Sequence, residues 1–256
     1  MDHNALDHDR QIRCSADVVS EIRYLESKNN NPIINDPYAC LFISPAGGSM
    51  LKEALLQWPF FAEYLLSREK YFDDALNRYF QNTQDAQLVI LGSGNDMRAE
   101  RLPCLKGKKI FEVDFPDTIS FKKEVLQNAS QCPPDSVTYV GTDVSQDGFM
   151  DVLVQAGFNP NGKSVFLLQG LIYYMEPKGV DALFAGLGKI LSQGSLLLVD
   201  HTSKDMGQEP YPKNMKDYML KKGFKVVEQV SLGNLTDKYF GKPHKEQWWV
   251  TEAEQD

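Results

Sequence analysis

An α/β fold built on a mostly parallel sheet is predicted by three observations in this chain. After about residue 85, short runs of leucine and β-branched residues alternate with amphipathic segments, as strands do with crossover helices. The first run, Leu88-Val-Ile-Leu91, breaks into Gly92-Ser-Gly94. The next, Phe111-Glu-Val-Asp114, ends in an acid. Gly92 and Gly94 admit backbone conformations and a close approach that a side chain would block. Asp114, at the second strand's end, can accept hydrogen bonds from ribose hydroxyls. Together they describe a nucleotide-type cofactor site.

The segment before residue 85 reads as helical. Within it Phe61, Leu65, Arg68, Phe72, Ala75 and Tyr79 alternate spacings of four and three, which places them on one helical stripe. Arg68 is the anomaly in that apolar stripe, because a buried guanidinium needs an anion. A ligand carboxylate would serve, and so would an internal acid such as Asp73 or a side chain that reaches water. Ser27 to Pro37, with Asn29-Asn-Asn31, reads as a loop. Seven strands follow: Gln87 to Leu91, Lys109 to Val113, Ser136 to Val140, Ser164 to Leu168, Ser195 to Val199, Phe224 to Val230 and Gln247 to Val250. Asn159 to Lys163 and Gln193-Gly194 supply turns, and Lys222-Gly223 ends the helix before the sixth strand.

With 256 residues, 42 % of them hydrophobic, the chain suits one large domain. Its net charge of -8 is the wrong sign for gaining affinity by counterion release, so nucleic acid is not an expected partner. Cys14, Cys40, Cys104 and Cys132 show no metal-ligand or CxxC spacing, and we expect reduced thiols and no metal. No stretch has the length of a membrane span, and the first residues lack the order of a signal peptide, so the expected address is cytoplasmic.

Where a dinucleotide motif calls for a third small residue, this chain has Met97, which argues against a nicotinamide site. Two further loops fall at strand ends, where open α/β sheets bind ligands. In Thr142-Asp143-Val144, Asp143 suits either an adenine amino group or the cap of a helix near Ser145. In Gln169-Gly-Leu-Ile-Tyr-Tyr174, Tyr173 suits the rim of a pocket. His201, near the end of the fifth strand, is the candidate base if an acceptor hydroxyl must lose a proton. His3, His8 and His244 sit in no motif and read as solvated surface.

Ser67 to Leu76, Leu91 to Arg98, Phe111 to Pro116 with Phe121-Lys-Lys-Glu124, and Gln169 to Met175 follow the order and spacing of the leucine carboxyl methyltransferase family. Asn35-Asp-Pro-Tyr38 resembles its N-terminal segment, and the likeness covers roughly residues 10 to 200. The resemblance implies a class I methyltransferase fold, Rossmann-like, with a seven-stranded sheet whose last strand is antiparallel. Residues 1–84 would form a helical, cofactor-covering cap and residues 85–256 the core, within one structural domain. It further implies S-adenosylmethionine as cofactor and S-adenosylhomocysteine as product. Arg68 would hold the cofactor carboxylate, Gly92 and Gly94 its methionine end, Asp114 the ribose, and Asp143 with Val144 the adenine. Gln169 stands where the family usually has glutamate, so a Gln169→Glu change is expected to tighten binding. The expected activity is O-methyl transfer to a carboxylate or hydroxyl of a small molecule, in preference to a protein C-terminal carboxylate. Tyr173 and His201 are the catalytic candidates. The competing expectation is a noncatalytic cofactor-binding module or partner subunit.

Overall fold

The structure is a computed structural model that describes residues 3–129, 136–202, 211–242 and 248–255, with side chains from Arg13 onward. Cys132, His244 and Gln247, the side chains of His3 and His8, and most of the segment after His201 lie outside the described residues.

Three helices come first: α1 (His3–Glu26), α2 (Pro45–Gln57) and α3 (Phe61–Asn82). Then follow β1 (Gln87–Leu91), α4 (Arg98–Arg101), β2 (Lys109–Asp114), α5 (Pro116–Asn128), β3 (Val137–Gly141), α6 (Phe149–Gln155), β4 (Ser164–Leu168) and α7 (Pro177–Ile190). The remainder is β5 (Leu196–Thr202), α8 (Met215–Lys221), β6 (Phe224–Ser231), α9 (Leu232–Phe240) and β7 (Trp248–Gln255). The strands form one seven-stranded sheet in the order β3-β2-β1-β4-β5-β7-β6. Strands β1 to β5 pair in parallel, and β7 runs antiparallel between β5 and β6. This is the class I arrangement expected from the sequence.

All five residues of β1 are buried because β2 and β4 flank it and helices cover both faces, which is why it reads as an unbroken apolar run. Alternate side chains enter opposite layers. Leu88 and Ile90 meet the α3 stripe at Phe72, Ala75 and Leu76, while Val89 and Leu91 face Phe149, Leu153 and the α7 residues Leu183 and Phe184. Ser44 caps α2 through the Gly47 amide, and prolines open α2, α5 and α7, where a missing N–H costs nothing. Among the described residues no helix is long and apolar enough to cross a membrane.

Two strands outrun their apolar runs. β5 continues through Asp200, His201 and Thr202 because each is paired with β7, and β7 continues through Thr251 to Gln255, polar except for Ala253, because β5 and β6 hold it on both sides. This extension settles the place of His201. It follows Asp200 in the strand, so the two side chains leave opposite faces. Asp200 turns toward Arg68, whereas the His201 Nε2 meets Thr251 Oγ1 and Gln229 Nε2, each at 3.1 Å.

Burial lowers the His201 pKa to about 3, so the imidazole is neutral in the fold. The unfolded chain binds a proton near the ordinary value of 6.5, so the folded state is the proton-poor one between these values, and stability falls as pH drops through that window. His201→Asn, which keeps a hydrogen-bonding side chain without the titration, is expected to flatten this acid loss. Denaturant midpoints from pH 7 to pH 4 check it, and parallel curves for variant and parent would contradict it.

Candidate functional site

A cavity of about 890 Å³ opens along the carboxyl edge of the sheet. Its lining brings together Arg68, Gly92, Gly94, Asp114, Asp143, Val144, Gln169 and Tyr173 from five separate segments. His201 does not line it.

The glycine turn is a built feature. Gly92 has φ +66°, where a side chain would strain the backbone, and a Cβ there, 2.9 Å from Leu171 Cδ1, would also push that side chain aside. Gly94 has φ +43° and donates its amide to Asp114 Oδ2 at 2.7 Å. The other Asp114 oxygen accepts from the Phe115 amide at 2.7 Å, and with Thr118 also beside it the carboxylate keeps acceptor capacity for a further donor. Burial raises the Asp114 pKa, opposed by these two amide bonds. Beneath the turn, the buried Lys122 donates to the Asp96 carbonyl and to Glu112 Oε2. From above, α1 covers the turn: Asp17 Oδ1 accepts from Asn95 Nδ2 at 3.1 Å, and Arg23 Nη2 reaches the Asn95 carbonyl at 2.7 Å.

Arg68 is buried in the apolar stripe as the sequence requires, but its anion is internal. Nη1 donates to Asp200 Oδ2 at 2.6 Å, and Asp200 Oδ1 accepts from the Gly170 amide at 2.7 Å. Burial works against the guanidinium charge, yet Asp200 outweighs it and the Arg68 pKa stands above its ordinary value. The Nε of Arg68 is buried without a hydrogen-bond partner among the described residues. Asp73, the internal acid weighed from the sequence, instead accepts from Arg98 and Arg101.

That second pairing belongs to a larger buried network. Glu69 accepts from Arg98 Nη2 at 2.5 Å, Arg23 Nη1 at 3.3 Å and Gln169 Nε2 at 2.5 Å. Arg98 also binds Asp96, Asp73 and the Gln169 carbonyl oxygen, and Arg23 binds Asp36. Burial would raise the Glu69 pKa, but Arg98, Arg23 and Arg101 hold it far below the usual carboxylate range. Gln169 therefore uses both ends of its amide inside the protein, as a bridge between Glu69 and Arg98.

Tyr173 lies beside the Arg68–Asp200 pair and 5.0 Å, ring to ring, from Trp248. Burial, and then the Asp200 charge, push its phenol well above the usual range, so it is protonated near neutral pH. Asp143 folds back on its own turn, accepting from the Ser145 amide at 2.9 Å, while α6 begins only at Phe149. It caps a turn rather than a helix near Ser145.

Sequence reasoning missed Asp200, Asp96, Trp58 and Trp248, which the structure places in or against this site. Asp200 carried a usable signal, since Leu196-Leu-Leu-Val-Asp200 repeats the pattern of an apolar strand ending in acid. The tryptophans carried none, because only tertiary packing brings the α2–α3 junction to the start of β7.

Known proteins resemble this arrangement. Solved structures with the same architecture include a DUF574 family protein of Streptomyces avermitilis, with a TM-score of 0.69 at 11 % identity, covering 94 % of this chain and 97 % of that one. A candidate methyltransferase of Thermobifida fusca gives a TM-score of 0.63 at 15 % identity, covering 86 % and 93 %. At those identities the likeness concerns the fold. In sequence, a protein of Mycolicibacterium smegmatis named as a candidate S-adenosyl-L-methionine-dependent methyltransferase is 32 % identical over 198 residues, 72 % of this chain and 65 % of that protein. One of Mycobacterium tuberculosis with the same description is 32 % identical over 198 residues, 70 % and 62 %. The chain thus spans a little under two thirds of the length of these curated relatives. The family profile described as leucine carboxyl methyltransferase matches residues 16–188, a span that holds the glycine turn, Asp114, Arg68 and Gln169. On that match and the identities beside it, this chain belongs to the leucine carboxyl methyltransferase family.

Proposed function

We propose that this chain binds S-adenosylmethionine along the carboxyl edge of its sheet and transfers the methyl group to a carboxylate or hydroxyl oxygen of a small-molecule acceptor. One observation carries the reading: a single cavity gathers the glycine turn after β1, Asp114 of β2, Asp143 and Val144 after β3 and Gln169 after β4, with Arg68 reaching in from α3. The family and the names of its relatives support the same cofactor.

The residues present fit that molecule. The remaining acceptor capacity of Asp114 suits a ribose hydroxyl, and the Arg68 Nε, a buried donor without a hydrogen-bond partner among the described residues, suits a carboxylate. The buried network holds four carboxylates, Asp36, Glu69, Asp73 and Asp96, against the three guanidinium groups of Arg23, Arg98 and Arg101. Asp96 lines the cavity, so this excess of negative charge complements an ammonium group even with an amide at position 169. The short α4, only Arg98–Arg101, offers little as a phosphate-binding helix, and S-adenosylmethionine has no phosphate to bind.

When bound, S-adenosylmethionine supplies a sulfonium methyl that an acceptor oxygen takes, breaking the carbon–sulfur bond and leaving S-adenosylhomocysteine. The chain's part is alignment, because holding both reactants in one cavity makes the step effectively unimolecular, worth as much as about 7 to 11 kcal/mol in favourable systems. On this reading proton removal falls to neither catalytic candidate from the sequence, because Tyr173 is protonated near neutral pH and His201 does not line the cavity. That favours a carboxylate acceptor, which is already ionised near neutral pH. Release of S-adenosylhomocysteine across a panel of carboxylate, hydroxyl and amine acceptors tests the reading, and turnover confined to amines would overturn it.

Substitutions at three residues follow. Arg68→Ala leaves Asp200 buried without its partner, so it lowers the melting temperature as well as cofactor affinity, since breaking a buried pair costs about 3–5 kcal/mol. Arg68→Lys keeps a charge for Asp200 but cannot also serve a carboxylate, so calorimetry is expected to find S-adenosylmethionine binding weakened about tenfold with the melting temperature nearly unchanged. Parental affinity in Arg68→Lys would remove this residue from the site. Asp114→Asn is expected to weaken S-adenosylmethionine and S-adenosylhomocysteine alike, by about tenfold or more, because both carry the ribose. Gln169→Glu, expected from the family pattern to tighten binding, also carries a stability cost. It would replace a donor to Glu69 by a fifth buried carboxylate, costing about 1–3 kcal/mol and several degrees of melting temperature. Thermal unfolding reads this directly, and a rise in melting temperature would contradict it.

A further inference from the structure

The sheet order divides the cavity into two ends. β3, β2 and β1 carry Asp143, Asp114 and the glycine turn, the end suited to the nucleoside. β4, β5 and β7 carry Tyr173, Asp200 and Trp248 on the other side. Because β7 is antiparallel, its first residues stand at the carboxyl edge of β5, with Trp248 opposite Thr202. Arg68 marks the boundary, since it reaches Asp200 at the end of β5 and lies near Gly170 after β4. From Arg68, the same face of α3 continues to Leu65 and Phe61, and Trp58 stands next to Phe61 with ring centroids 5.9 Å apart. Met50 and Ala54 of α2 complete this wall.

The wall is apolar and aromatic throughout. Among the described lining residues, the charged groups other than Arg68 sit on α1, on the β1–β3 loops or at the start of α7, whose Gly179 packs on Ser145 at the β3 end. Arg68 itself is neutralised by Asp200. The cavity's 890 Å³ is near the top of the range for one drug-sized ligand, about 300–1,000 Å³, which leaves room for a second molecule beside a nucleoside. An apolar wall accepts a ring face readily and desolvates a peptide's amides or charged side chains without giving them partners.

Resting on the methyl-transfer reading, we infer that the acceptor is a compact molecule with a flat, largely apolar body, such as an aromatic-ring carboxylic acid. Its ring lies in the Trp58–Phe61–Tyr173–Trp248 end and its oxygen points back toward Arg68 and the glycine turn. Trp58 and Phe61 determine specificity without touching the cofactor.

The test uses the full chain saturated with S-adenosylhomocysteine, titrated with 2-naphthoate and, separately, with a hexapeptide ending in a free leucine carboxylate. Tryptophan emission reads binding, because Trp58 and Trp248 face the cavity. Naphthoate is expected to quench emission and, with S-adenosylmethionine present, to yield its methyl ester, while the peptide does neither. Trp58→Ala is expected to raise the KM for naphthoate by about tenfold or more while S-adenosylhomocysteine affinity stays within about twofold, and Trp58→Phe to restore most of the loss. Better turnover of the peptide than of naphthoate would overturn the inference. So would S-adenosylhomocysteine binding with no naphthoate quenching, or equal losses of both ligands in Trp58→Ala. If S-adenosylhomocysteine itself fails to bind the parent protein, it is the methyl-transfer reading that falls.

Discussion

The site depends on a buried ionic network that ties four separate stretches of chain to one another. Arg23 from α1, Glu69 and Asp73 from α3, Asp96 and Arg98 from the glycine turn, and Gln169 from the end of β4 are joined through charge-assisted hydrogen bonds. Each charge is out of water, so each is tolerable only while its partners are in place, and removing any one leaves its neighbours short of a partner. The network thereby fixes where α1 lies over the turn, how the turn leaves β1, and which way the loop after β4 faces. Lys122 anchors the same turn from beneath through the Asp96 carbonyl.

Arg68 and Asp200 form a smaller version of the same device. Because the guanidinium is neutralised within the protein, its orientation does not wait for a ligand. Asp200 also accepts from the Gly170 amide, so one carboxylate sets both the arginine and the backbone of the loop that holds Gln169 and Tyr173. Arg68 Nε, a donor without a hydrogen-bond partner among the described residues, remains in a site whose geometry is already determined. Preorganisation of this kind lowers the ordering cost of binding and holds reacting groups in line.

The antiparallel β7 has a consequence for chemistry beyond closing the sheet. It brings Trp248, from the end of the described chain, to the carboxyl edge of β5, where it packs against Tyr173. The polar half of the cavity thus stands at the β1, β2 and β3 ends of the sheet, and in the apolar half Trp248 of β7 joins Trp58 and Phe61 from the helical layer, with Arg68 between the halves. That division separates the groups that would hold a nucleoside from the wall that would select an acceptor.

Much of this was written in local sequence. Strands buried on both faces must be apolar along their whole length, so β1, β2 and β4 stand out, and the glycine turn with Asp114 follows directly from where β1 and β2 end. Arg68 was legible as an anomaly because periodicity alone places it on a buried face. Its partner was not legible, since Asp200 lies 132 residues away and no spacing rule links an α3 residue to the end of β5. The same limit explains His201 and Gln169. Strand alternation sends His201 to the face away from the cavity once pairing with β7 extends β5, and the Gln169 amide is occupied by Glu69 and Arg98. Local pattern determines which segments are buried and where turns fall, because those depend on near neighbours. Which buried charge meets which, and which aromatic ring closes the pocket, was decided only when the sheet brought distant strand ends to one edge.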